Sequence, residues 1–187
     1  MASASLPKGA RGSRVTPLAR LSAALARRIR LLVLDVDGVL TDGSLYFGAR
    51  GEVLKAFNVR DGHGIKLLQA AGVDVAIISG RRSPAVLKRC ADLGIRHAVQ
   101  GAANKSRALD GLLRKFRLDD ARDVASVGDD TPDIPVLVRC GVSVAVADAH
   151  PLALAAAKFA TRLPGGRGAV REVCDALLSA RARGTQS

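Results

Sequence analysis

The chain has 187 residues, 48% of them hydrophobic, enough for one domain with a full core and too few for two ordinary ones. No run of about 18 or more apolar residues occurs, so no membrane-spanning helix is expected. The net charge of +12 raises nucleic-acid binding, but aromatic residues make up only 3% of the chain, against the interleaved basic and aromatic residues of a nucleic-acid groove, and no nucleic-acid partner is expected. Much of the charge is local: residues 1–34 hold Lys8, Arg11, Arg14, Arg20, Arg27, Arg28 and Arg30 with no acid, leaving 12 − 7 = +5 for the remainder. Residues 1–28 read as a basic arm. Its Ala-, Arg- and Ser-rich composition is shared by transit peptides and bacterial extensions. Leu18, Leu21, Leu25 and Ile29 have helical spacing that can pack on a domain, which favours a partly ordered bacterial arm.

From Leu31 the chain alternates apolar runs with helix-like segments. Leu31–Val36 reads as a buried strand and leads into Asp35 and Asp37, with Gly38 at the turn. Carboxylates two apart at a strand's carboxyl end stand close together, where ligands bind in open α/β folds. Two such anions repel unless a cation or proton joins them, so the pair suggests a hard divalent metal, a nucleophile and an acid/base group. Standing alone, the pair would be explained equally well by an Asx turn. Residues 44–57 come next, with Leu45-Tyr46-Phe47 and residues 53–57 flanking a glycine-containing turn, and read as a projecting β-hairpin.

Asp61 and Gly72 punctuate a helix over 63–71, and Ser83-Pro84 and Gly94 punctuate another ending at Leu93. Between them Val73–Ser79 reads as a strand ending in Ser79-Gly80-Arg81-Arg82, a hydroxyl, a flexible backbone and two cations suited to an oxyanion. After the strand Ile95–Val99, Lys105 opens a helix carrying Leu109, Leu112, Leu113 and Phe116; a lysine there opposes the helix dipole, which favours a ligand role. Val124–Val127 ends in Gly128-Asp129-Asp130-Thr131-Pro132-Asp133, a second acidic cluster whose Asp129 and Asp130 are also plausible caps. Val142–Ala147 is a further strand, and the glycine-rich Leu163–Val170 precedes a helix holding Val173 and Leu177. The alternation argues a mostly parallel sheet with helices on both faces. Cys90, Cys140 and Cys174 lie far apart without C-x-x-C spacing and read as buried thiols in a reducing cytoplasm.

In order, D-V-D-G-V at 35–39, Ser79, Lys105 and G-D-D-T-P-D at 128–133 resemble the four motifs of the haloacid dehalogenase superfamily of phosphohydrolases. The strings DVDGVLTDG, KAFNVRDGHGI, GIRHAVQGAANK, SVAVADAHP and GGRGAVREVCD narrow the resemblance to its capless phosphatases of 3-deoxy-D-manno-octulosonate 8-phosphate, from about Ile29 to Ser179. That resemblance implies a Rossmann-like α/β sheet with the hairpin in place of a cap domain, a phosphatase domain over 29–180 and a tail over 181–187. It implies hydrolysis through an aspartyl-phosphate in lipopolysaccharide precursor synthesis, with Mg²⁺ as cofactor. Asp35 would be nucleophile and metal ligand, and Asp37 general acid and base, its main-chain carbonyl on the metal. Asp129 would complete the metal ligands, Asp130 and Asp133 would orient them, and Ser79, Gly80 and Lys105 would hold the phosphate.

The same resemblance places Asn58, Val59, Arg60, Asp61, Gly62, Arg81 and Arg89, with Asp37 and Lys105, around the sugar acid. Arginine forks suit a carboxylate. Read from the residues alone, Asp61 is also a plausible N-cap and Arg89 a solvated helix face. Tyrosine often follows Asp-Gly in such phosphatases, whereas this chain has His63. A homotetramer is implied, with hairpins meeting across subunits and a mobile glycine-rich tail, including Arg167, approaching a neighbour's site. A phosphatase of a nine-carbon sugar-acid phosphate would use the same catalytic set. A non-catalytic domain of this fold would be expected to lose Asp35 or Asp37, and both are present.

Overall fold

The computed structural model describes residues 15–183. The five apolar runs form a seven-stranded sheet with two short strands that the sequence pattern does not mark, β1 (Thr16–Pro17) and β9 (Phe159–Ala160). The five are β2 (Leu31–Leu34), β5 (Asp74–Ser79), β6 (His97–Gln100), β7 (Val124–Gly128) and β8 (Val142–Ala145). The spatial order is β1-β9-β8-β7-β2-β5-β6, and every neighbouring pair is parallel. From β2 the chain winds one way through β5 to β6, then crosses back to β7 and winds the other way. The reversal between β2 and β7 is the switch point at which open α/β sheets leave a crevice. Leu34 pairs with Val127, so Asp35 and Asp129 leave the sheet side by side.

Strand residues alternate between two cores, because successive side chains point to opposite faces. Leu32, Leu34, Val75 and Ile77 pack with Ile65 and Leu68 of α2 (Val59–Ala70) and with Val170, Val173 and Leu177 of α7 (Ala169–Ala182). Leu31, Val33, Ala76 and Ile78 pack on the other face with Leu109 and Leu112 of α4 (Lys105–Phe116). α3 (Pro84–Leu93), with Val86, Cys90 and Leu93, joins the first core. The projecting pair β3 (Tyr46–Gly48) and β4 (Gly51–Leu54) is antiparallel, as the sequence pattern predicts. All three cysteines are buried and free. Among the described residues, no helix is long and apolar enough to cross a membrane.

Strand ends shift by one or two residues from those read in the sequence, and three further boundaries differ for a physical reason. α2 starts at Val59, because Asn58, and not Asp61, supplies the cap: its side-chain oxygen accepts from the Arg60 N–H at 2.9 Å. The arm assigned to 1–28 is joined to the domain from Thr16. There β1 extends the sheet beside β9, and α1 (Ala23–Arg28) follows. Leu18, Leu21 and Ile29 are buried as the helical spacing suggests, while Leu25 is exposed. Residues 1–14 of that arm lie outside the described residues. The tail assigned to 181–187 begins inside α7: Arg181 donates to the carbonyls of Ala26 and Ile29 at 3.2 and 2.8 Å, and Arg183 to that of Leu21 at 3.0 Å. These bonds hold the two ends of the chain together, and residues 184–187 are outside the described residues.

Candidate active site

At the carboxyl ends of β2 and β7, Asp35, Asp129 and Asp133 present carboxylate oxygens that all lie within 4.8 Å of one another. Such a cluster of buried anions is expensive unless cations neutralise it. Lys105, the first residue of α4, lies 2.7 Å from an Asp35 oxygen and 2.7 Å from an Asp133 oxygen. Asn104 caps this helix, its side chain accepting from the Arg107 N–H at 2.9 Å, and so aims the lysine inward. One ammonium cannot satisfy three carboxylates. Burial, followed by the charge of Asp133, pushes Asp35 up to about 6 despite Lys105. Burial, followed by the charges of Asp35 and Asp133, pushes Asp129 up to about 8. Oxygen donors this crowded suit a hard divalent cation.

Within the cluster the carboxylates are not equivalent. Asp133 accepts from Lys105 through one oxygen and from the Asp129 and Asp130 N–H groups, at 3.0 and 3.4 Å, through the other. Asp130 caps the short turn through the Thr131 N–H at 2.7 Å. The Asp129 carboxylate has no hydrogen bond among the described residues, whereas Asp35 is held by Lys105 and by the Val36 main chain. Gly38, with φ +91°, lies against the Asp129 carboxylate so closely that a Cβ would overlap it. This glycine therefore serves both the left-handed turn and the approach of the two acidic loops.

Asp37 stands beside this cluster and is paired with Lys55, which follows β4. The Lys55 ammonium also meets Glu52 at 3.1 Å, and Glu52 accepts from the Ser83 hydroxyl at 2.6 Å and faces Arg81 at 3.5 Å. Ser79, at the end of β5, is buried, and its hydroxyl accepts from the Arg81 N–H at 3.2 Å. Gly80 follows in the same loop, and the Arg81 guanidinium lies 6.0 Å from the Phe47 ring centroid, within cation–π range. Lys55, Glu52 and Ser83 were not singled out as site residues in the sequence. A lysine after an exposed hairpin looks solvated and a serine before Pro84 looks like a helix cap, although Ser83 makes no side-chain cap bond.

Several expected substrate residues engage the carboxyl-terminal part of the fold within this subunit. Asp61 is buried, its carboxylate accepting from the Arg171 N–H at 2.7 Å in the first turn of α7; burial raises its pKa. Arg60 donates to the Arg167 carbonyl at 3.2 Å and lines a cavity of about 500 Å³ with Leu18, Arg171 and Glu172. Asn58 donates to the Gly166 carbonyl at 3.3 Å, while Val59 is exposed. Arg89 donates to the Asn58 carbonyl at 3.5 Å, lies over Phe57 and packs against Gly62, where any side chain would collide with its guanidinium.

The glycine-rich segment makes its contacts within its own subunit. Gly165 donates to Asp148 at 2.9 Å and Gly166 to the Val39 carbonyl at 2.9 Å, while Arg167 reaches Asp42 at 3.3 Å. A Cβ on Gly165 would overlap the Gly38 carbonyl, and one on Gly166 the Asp42 amide. The segment is thus strapped across the turn of its own subunit, and the core face of α7 anchors it.

Residues 98–170 match the model of the haloacid dehalogenase-like hydrolase family. The 3-deoxy-D-manno-octulosonate 8-phosphate phosphatase KdsC of Escherichia coli K12 is 56% identical over 160 residues, which are 86% of this chain and 85% of that relative. The crystal structure of the phosphatase of the same name from Yersinia pestis matches with a TM-score of 0.83 at 51% identity, covering 88% of each chain. Its counterpart from Moraxella catarrhalis, solved with a magnesium ion, a phosphate ion and KDO, matches with a TM-score of 0.82 at 38% identity, covering 86% of this chain and 92% of that one. The acidic motifs stand at adjacent strand ends on a sheet these relatives share, and the chain belongs to the 3-deoxy-D-manno-octulosonate 8-phosphate phosphatase family of haloacid dehalogenase-like hydrolases.

Proposed function

We propose that this protein hydrolyses 3-deoxy-D-manno-octulosonate 8-phosphate to the free sugar acid and inorganic phosphate, a step of lipopolysaccharide precursor synthesis. The observation that carries the reading is the cluster of Asp35, Asp129 and Asp133 around Lys105 at the β2/β7 switch point, beside the separately held Asp37. Asp35 attacks phosphorus, forming a Asp35 Oδ–P bond as the bond to the sugar oxygen breaks. Asp37 gives its proton to that departing oxygen, then takes one from the water that cleaves the aspartyl-phosphate. Lys105 and the Ser79 hydroxyl, with the Gly80 backbone, hold the phosphoryl oxygens on which charge is spread.

The residues fit Mg²⁺, the ion named in the Moraxella relative. Asp35 and Asp129 have carboxylate oxygens to offer it, with the Asp37 main-chain carbonyl, while Asp133 and Asp130 orient the loop. When bound, the cation neutralises the acidic cluster and the phosphoryl charge. Arg60, Arg81 and Arg89 are the cations assigned to the substrate carboxylate. We assign the protein to the cytoplasm and to a homotetramer, in which exposed Tyr46, Phe47, Val53 and Leu54 of the hairpin are covered by neighbouring subunits.

The test is a phosphate-release screen with Mg²⁺ over eight- and nine-carbon 2-keto sugar-acid phosphates and hexose phosphates. The eight-carbon substrate should give the highest kcat/KM, EDTA should abolish turnover and Mg²⁺ restore it. A hexose phosphate turned over as well as the sugar acid, or full activity in EDTA, would overturn the proposal. Light scattering over a dilution series should report about four protomers, and an active monomer would overturn the assembly.

A further inference from the structure

Asp37 is held by a single partner. Among the described residues its carboxylate meets only the ammonium of Lys55, whose side chain is 1% exposed and arrives from the hairpin. Lys55 is fixed in turn. Glu52 lies 3.1 Å from the same ammonium, and its other oxygen takes the Ser83 hydroxyl at 2.6 Å. Ser83 is itself clamped from β6, accepting Gln100 on its carbonyl at 3.3 Å and donating its N–H to the Gln100 side chain at 2.6 Å. A continuous run of polar contacts therefore leads from the edge strand β6, through the loop after β5 and the hairpin, to Asp37, which is separate from the three-acid cluster. An exposed surface lysine would lose rotamer freedom for little gain by adopting such a pose. Here the stem is buried and the head has two acids, so the lysine is held before any substrate arrives.

We propose that Lys55 is a positioning residue that sets the direction of the Asp37 carboxylate, with Glu52 and Ser83 holding Lys55 in place. The proposal rests on the reading of Asp37 as the group that protonates the departing oxygen. It gives the hairpin a part in the chemistry beyond screening the site: a displacement of β4 would carry Lys55, and with it Asp37, away from the ester oxygen. Positioning of this kind matters because an acid must stand within hydrogen-bond reach of the atom it protonates.

The test separates proton delivery from every other step. Ethyl phosphate releases a strongly basic alkoxide and needs the proton; p-nitrophenyl phosphate releases a weakly basic phenolate and does not. Neither carries the sugar acid's carboxylate, so substrate recognition cancels. The kcat/KM value covers the steps up to ester cleavage and leaves out the later hydrolysis of the aspartyl-phosphate. Asp37→Asn sets the benchmark and should lower the ethyl-to-nitrophenyl ratio of kcat/KM by about 100-fold or more. Lys55→Met should lower the same ratio by about 10- to 100-fold, and Glu52→Gln, which leaves the Lys55–Asp37 pair in place, by about 3- to 10-fold. A ratio unchanged in Lys55→Met while Asp37→Asn lowers it would overturn the positioning role alone. A ratio unchanged in Asp37→Asn would overturn the assignment of Asp37 and this proposal with it. Should Lys55→Met fail to fold by circular dichroism, Glu52→Gln decides: a lowered ratio supports the proposal and an unchanged one overturns it.

Discussion

Raising the pH of the metal-free protein should weaken it, and Mg²⁺ should undo the loss. The perturbation acts on Asp35 and Asp129, raised from 3.8 to about 6 and about 8, first by burial and then by neighbouring carboxylates. An acid with a folded pKa above its unfolded value binds more protons in the native state across the interval between the two. Its contribution is fully present below the unfolded pKa and is lost as the pH rises through the folded one, here across 6 and then 8. For Asp35 the rise corresponds to about 3 kcal/mol in all, since each unit is worth about 1.4 kcal/mol, but it is lost between the unfolded and folded pKa values, which leaves under about 1 kcal/mol of it above pH 5.5. Asp129, raised to about 8, supplies most of the loss between pH 5.5 and 8. Glu52, held below its usual range first by its bond from Ser83, and Asp42, held there by its bonds from the Ser44 N–H, stay ionised throughout and contribute no slope. Urea unfolding at fixed protein concentration, at pH 5.5 and pH 8, measures the effect in EDTA and in excess MgCl₂. In EDTA the protein should lose about 3 kcal/mol between the two, or about 6–12 °C in Tm for a chain of this size. Mg²⁺ should remove most of that difference, and Asp129→Asn should flatten the metal-free profile. Metal-free stability that is level or rises between pH 5.5 and 8, or Mg²⁺ stabilisation equal at the two, would refute the reasoning.

Asp35→Asn should abolish phosphate release while leaving the thermal transition in place, since an amide neither attacks phosphorus nor holds the metal as strongly; measurable turnover by this variant would remove Asp35 as nucleophile. Gly165→Ala should cost about 2–4 kcal/mol in urea unfolding and slow turnover, because its Cβ would meet the Gly38 carbonyl, a backbone atom that cannot step aside without moving the acidic turn. Asp61→Ala should cost about 1–3 kcal/mol by leaving the Arg171 N–H in the first turn of α7 without its acceptor. Truncation after Leu163 should prevent folding outright, judged by circular dichroism, because it removes the buried Val170, Val173, Cys174 and Leu177 from one whole face of the core.

Sequence alone determined five of the seven sheet strands and the identity of the chemical groups, while the two-residue strands β1 and β9 carry no signal in it. Period-2 alternation and apolar runs are dictated by local backbone geometry, so Leu31–Leu34, Val124–Val127 and their companions were legible as parallel strands, and the acids, Ser79 and Lys105 fell at strand ends or helix starts by simple counting. The resemblance then supplied a role for each. What the tertiary structure decided is which of these groups meet, and that depends on pairs far apart in the chain. Asp133 reads locally as a residue just past a helix-starting proline, and only the fold of α4 brings Lys105 onto both it and Asp35. Asp61 sits at a plausible helix start, yet it accepts from the Arg171 N–H of a different helix, 110 residues away. Lys55 follows an exposed hairpin and is buried only because the hairpin folds back onto Asp37 and the loop after β5. Burial and charge pairing are properties of three-dimensional neighbourhoods, and no periodicity along one segment encodes the segment that will cover it.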